Sequence, residues 1–173
     1  MSVDESKHDL RELVKRAQET ALQRDELESL KDQHDALVQA FLNGELSDAE
    51  YQNRLRRNAE ALSKGVLLLA SISKFREALE LILDSREEVE IILEHENQHM
   101  SKALELGLDG WYAIQFIKSH ESDQIDFYPS SDIHFPDAIP TEERKRLMIE
   151  IIRAAHELSA RDKGQLGIKN DDH

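Results

Sequence analysis

Three features of this sequence point to a mainly helical α+β chain. Gly and Pro are scarce, six and three in 173 residues, while 34% of residues are charged, as in long solvated helices. From Asp4 to Leu106 apolar residues recur three and four apart, the period of a helix face. After Gly107 the period becomes two, with aromatic and β-branched residues from Trp111 to Ile117. The expected architecture is an N-terminal antiparallel helical hairpin forming a coiled-coil stem, then a motif helix, a small three-stranded antiparallel meander and a C-terminal helix. Residues 1–84 form the stem, 85–167 a small α+β unit, and 168–173 a disordered tail.

Taken in order, Leu10, Leu13, Val14, Ala17, Leu27, Leu30, Leu37 and Phe41 predict one long helix over 4–42. Asn43-Gly44 ends it, and Ser47 to Glu50 has capping-box spacing, so the chain folds back as a helical hairpin. The second helix runs from Asp48, with Gly65 as a kink, and resumes through Ile72, Phe75, Leu79 and Ile82. Ser85 to Glu88 repeats the capping spacing and opens a helix over 86–106. Beyond Asp109-Gly110, strands are expected at 111–117, 125–127 and 133–135, with Tyr112, Ile114 and Phe116 on one face. Pro136 and Pro140 close the meander. Thr141 opens the last long helix, and Ser159 to Asp162 caps one more short turn.

Composition narrows the function classes. The formal net charge is -14, from 22 Lys and Arg against 36 Asp and Glu, which disfavours phosphate-based nucleic-acid binding. There is no cysteine, which removes disulfides, thiolate metal sites and cysteine nucleophiles and suits a reducing compartment. Met1 to His8 is polar, without the apolar core of a signal peptide. No apolar run approaches the roughly 20 residues of a membrane span. A cytoplasmic location without membrane or nucleic-acid partners is expected, and the stem suggests self-association.

One stretch suggests chemistry. His95-Glu96-Asn97-Gln98-His99 places two histidines four apart, on one face of a helix. Neutral imidazoles there can hold a metal ion, and Glu96 lies close enough to take a proton from water. Ile91, Ile92 and Ala103 share that face, so the histidines should point inward. This five-residue motif resembles that of zincin metallopeptidases. The resemblance implies zinc, with His95 and His99 as ligands, Glu96 as general base and a peptide or protein as substrate. It covers the motif alone. In that family a sheet with a substrate-binding edge strand precedes the motif helix, whereas here the evident strands follow it. The extended form with a third histidine is absent, position 105 being Glu105 and position 102 Lys102.

A third ligand is needed, and His134 is the first choice, because it shares a strand face with Asp132. His156-Glu157 ranks second. Glu105 reads as a surface charge, His34 as a partly buried stem residue, and His8, His120 and His173 as solvated. The leading expectation is a zinc-dependent hydrolase, a small zincin-like metallopeptidase. The alternatives are a helical interaction or dimerisation module whose metal is structural, and a ferritin-like di-iron protein built on Glu96-x-x-His99.

Overall fold

The computed structural model describes residues 3–119, 124–155 and 158–168. The apolar stripe beginning at Leu10 stops sooner than its spacing suggests. Helix α1 (Val3–Glu19) closes where the Thr20 hydroxyl donates back to the carbonyls of Arg16 and Ala17, at 3.2 Å each. The chain extends through β1 (Leu22–Gln23) before α2 (Arg24–Leu42) begins. Helix α3 (Asp48–Leu62) starts at Ser47, whose side chain accepts the Glu50 N–H, and it packs on α2 across the Asn43–Ser47 connection.

Gly65 does more than kink a helix. Its φ is +72°, and a Cβ there would lie 2.7 Å from Ala21 Cα, so only Gly lets the two backbones come this close. The next residues form β2 (Val66–Leu69), and Ser71 then caps α4 (Ile72–Ile82). Ser85 caps the motif helix α5 (Arg86–Glu105), accepting the Glu88 N–H. Strands β3 (Asp109–Lys118) and β4 (Ile125–His134) follow, then α6 (Thr141–Ile152) and α7 (Ala160–Leu166).

The sheet is mixed and four-stranded, which overturns the expected three-stranded antiparallel meander. Strand β3 is its centre. Strand β4 pairs antiparallel along one side, from Asp109↔His134 to Lys118↔Ile125. On the other side β2 pairs antiparallel and β1 parallel, at Leu22↔Ile117 and Gln23↔Lys118. The differences have separate causes. A short apolar run such as Val66–Leu69 looks the same in a buried strand and a buried helix. Two-residue β1 forms only because β3 offers it backbone partners. Pro129 does not divide β4, because β4 pairs only with β3 among the described residues, and an edge strand tolerates Pro.

Nor is there a free coiled-coil stem. Leu10, Val14 and Ala17 of α1 belong to one core with Leu67 and Leu69 of β2, Phe75 and Leu79 of α4, and Val89, Leu93 and Met100 of α5. Tyr112, Ile114 and Phe116 face the same core, with Tyr112 stacked on Phe75 at 4.9 Å between ring centroids. Burying each such Phe or Leu contributes about 1.5–3 kcal/mol. The opposite face of β3 places Ile117 against Leu22 and Leu27, so the central strand is buried on both sides. Helices α2 and α3 share a smaller core, where Phe41 stacks on Tyr51 at 4.2 Å. Ala103 and Leu108 pack against Leu147 and Ile151, which seats α5 on α6.

Candidate metal centre

Helix α5 buries the face of Val89, Leu93, His99, Met100 and Ala103, with His95 at its margin; Ile91, expected on that face, is exposed. His99 is buried and His95 is half-buried, with 23% of its side chain exposed. The His99 Nδ1 lies 2.7 Å from the Ile151 carbonyl, which can only accept, so Nδ1 carries a hydrogen and donates it. In the neutral ring Nε2 then keeps its lone pair. This is the usual second contact of a metal-ligating histidine, and it fixes both tautomer and ring direction.

The Nε2 atoms of His95 and His99 lie 3.3 Å apart. The Asp162 Oδ2 lies 3.3 Å from the first and 3.4 Å from the second. The three donor atoms thus form a nearly equilateral triangle. Zinc bonds of about 2.0–2.1 Å place the corners of a tetrahedron about 3.3–3.4 Å apart, so the triangle matches one face of that coordination figure. Two imidazoles and a carboxylate are also a donor set that zinc accepts. Among the described residues this is the one group of three that could hold a metal ion.

Charge binds the group even without a cation. Burial alone would raise the Asp162 carboxyl, but hydrogen bonds from His95, His99 and the Ser159 N–H outweigh it and hold the carboxyl well below the usual range. His95 is raised chiefly by its hydrogen bond to Asp162, against the effect of burial. For His99 burial is the largest influence and lowers it. Asp162, the Ile151 carbonyl and the Glu96 charge together overcome that, and the net shift is upward.

Glu96 is buried beside them, only 6% exposed. Ser131 of β4 donates its hydroxyl to Glu96 Oε2 at 2.7 Å, and the same hydroxyl lies 3.1 Å from the Glu96 carbonyl. Opposite Ser131 in the ladder, Tyr112 donates to Asn97 Oδ1 at 3.2 Å. The two contacts tie the motif turn to both long strands.

A cleft of about 1210 Å³ opens over His95, His99, Glu96 and Asp162. Every residue from Tyr128 to Phe135 lines it. Seven of these belong to β4, and since side chains of a strand alternate between faces, residues of both faces reach the cleft. Among the described residues, the side of β4 away from β3 is unpaired.

The remaining candidates are placed as follows. His134 lines the cleft but does not belong to the triangle; its Nδ1 lies 3.5 Å from Asp109 and nearly half of its side chain is exposed. Asp162 stands where His134 was expected, because the β4 register aims His134 at the Asp109 end of β3. Glu105 is a surface group beside Lys102, and His34 is half-buried on α2 and lines the cleft. His120, His156, Glu157 and His173 lie outside the described residues, as do 169–173 and the side chain of His8. Asp162 was missed because its spacing from Ser159 reads fully as a helix cap, and nothing local relates it to residues 95–99.

Fold and site together define an α+β chain with a candidate His–His–Asp centre. No protein-family model matches it, and no match is found among curated proteins or solved structures. Among the described residues no helix is long and apolar enough to cross a membrane.

Proposed function

We propose that this protein is a zinc-dependent hydrolase of peptide bonds, with His95, His99 and Asp162 as ligands and Glu96 as general base. The observation that carries the reading is the triangle of donor atoms, with edges of 3.3, 3.3 and 3.4 Å, beside the carboxylate of Glu96. A zinc ion bound there would polarise a carbonyl and make water acidic enough to lose a proton near neutral pH. Glu96 takes that proton and returns it to the leaving nitrogen. Ser131 donates to Oε2 of Glu96 and so fixes the orientation of the carboxylate. Tyr112, through Asn97, keeps the motif turn against the sheet while this happens.

Two features favour a polypeptide over a small molecule. The cleft exceeds the roughly 300–1,000 Å³ usual for small-ligand pockets. The edge of β4 that is unpaired among the described residues offers backbone donors and acceptors on which an extended chain can align. Strands β1 and β2 precede the motif helix, whereas β4, the edge offered to substrate, follows it, unlike the order in zincins. The absence of cysteine suits action in the cytoplasm.

Metal analysis and cleavage of a mixed peptide library test this. Purified protein is expected to hold about one zinc per chain, lost in His99→Ala and retained in Glu96→Gln, with cleavage abolished in both. A wild type that binds no zinc at neutral pH overturns the reading, as does undiminished cleavage by Glu96→Gln.

A further inference from the structure

Asp162 has two tasks, and one oxygen performs both. Its Oδ2 faces the two imidazoles and also accepts the Ser159 N–H at 3.0 Å, while the Asp162 N–H donates to Ser159 Oγ at 3.1 Å. Ser159 and Asp162 therefore form a reciprocal capping box at the start of α7. A carboxylate oxygen has two lone pairs, so one can take the N–H and the other a cation.

We infer that metal loading and the formation of α7 are a single coupled event, transmitted by this capping box, with Ser159 as the positioning residue for the ligand Asp162. The inference rests on the metal-site reading above. The physical argument begins with length. Helix α7 has only seven residues, too few to be stable without support, since isolated helices below about 12–15 residues are marginal in water. Its support comes from the box, from α6, from the Asp162 bonds to His95 and His99, and from α2, where Gly164 lets the helix approach Asp35; a Cβ there would lie 3.2 Å from Asp35 Oδ2. The other two donors stand on the 20-residue α5, whose inner face is already buried. Completing the triangle therefore means ordering α7. An ion that binds only the docked helix must stabilise it, and whatever lowers the docked fraction must weaken the ion's apparent affinity by that fraction.

The test compares full-length wild type, Ser159→Ala, Ser159→Thr and Asp162→Asn. Zinc affinity is measured by chelator competition, and amide exchange at Lys163 and Ile168 is followed with and without zinc. Those amides bond to Ser159 and Lys163 carbonyls at 3.0 and 2.8 Å and report directly on the helix. The visible spectrum of the cobalt-substituted protein reports on ligand geometry. Zinc should slow both amides at least tenfold in the wild type. Ser159→Ala should weaken zinc binding about fivefold, the usual effect of losing a cap, and Ser159→Thr should restore both affinity and cobalt spectrum. Asp162→Asn, which keeps an oxygen for the cap but loses the charge facing the two imidazoles, should speed metal-free exchange and remove its response to zinc.

If the wild type binds zinc while exchange at α7 does not respond, the coupling is wrong and the hydrolase reading stands. A loss in Ser159→Ala that threonine does not restore overturns the positioning role. A wild type that binds no zinc overturns both. Zinc-coupled exchange in a protein whose cleavage ignores Glu96→Gln overturns the hydrolase reading alone.

Discussion

Asp162 and the two histidines give a definite pH dependence to the metal-free protein. The histidines are raised, so their stabilisation is complete below the unfolded histidine value of about 6.5 and fades as pH rises through the higher folded values. Asp162 is depressed, so its stabilisation is present above the unfolded value of about 3.9 and is lost as pH falls through the folded value. The cluster is therefore most stabilising between about pH 4 and 6.5. Thermal unfolding with chelator present should show a falling Tm from pH 6 to 8.5 in the wild type and a shallower fall in Asp162→Asn. An equal fall in both would separate the cluster from the pH response. Tyr51 belongs to a different environment; burial, more than the opposing influence of Arg144, pushes its hydroxyl up to about 12.

At the scale of elements, two residues join pieces that sequence order keeps apart. Arg144 of α6 is 2% exposed; its Nη1 donates to Asp48, in the first turn of α3, at 2.8 Å, and its Nη2 donates to the Pro136 carbonyl at 3.3 Å. Removing one member of a buried pair costs about 3–5 kcal/mol. Asp48 keeps a third of its surface in water, so Arg144→Ala should lose about 3 kcal/mol, at the lower end, as measured by urea unfolding. Gly65 is the second joint. Its positive φ already costs an L-residue roughly 1–2 kcal/mol, and the close approach to Ala21 adds to that. Gly65→Ala should therefore lower the urea midpoint clearly, whereas Gly44→Ala, with the same sign of φ but open space around it, should lose only the backbone share.

These elements also show what was legible in sequence. The caps were: Ser47, Ser85 and Ser159 each begin a helix with the hydrogen bond their spacing suggests. So was the inner face of β3 at Tyr112, Ile114 and Phe116. Strands β1 and β2 were not, since an edge strand is defined by its partner, and β3 lies more than 40 residues further along. The continuity of β4 through Pro129 was hidden for the same reason: whether a proline breaks a strand depends on whether that side is paired.

For the whole molecule, zinc should act as a stabilising ligand. At free zinc about 100 times Kd, the linkage is worth about 2.7 kcal/mol. For a chain of this size each kcal/mol moves Tm by about 2–4 °C, so a rise of roughly 5–10 °C is expected. Calorimetry with zinc and with chelator checks it, and Asp162→Asn should lose most of the rise. Self-association loses its first argument, because the apolar face of α1 is covered by β2, α4 and α5 rather than left on a stem.

The motif turn and the helical caps follow from the sequence alone, because these depend on residues within one or two turns of one another. The sequence also set the acidic charge and the absence of thiol chemistry, which need no fold at all. Tertiary packing sets which group stands beside the two imidazoles. His134 and Asp162 were both within the chain's reach, but register holds the first against Asp109, and the packing of α7 on α2 brings the second to 3.3 and 3.4 Å from the imidazoles. A ligand set is a condition on distances in space, and spacing along a chain fixes those only within a single element.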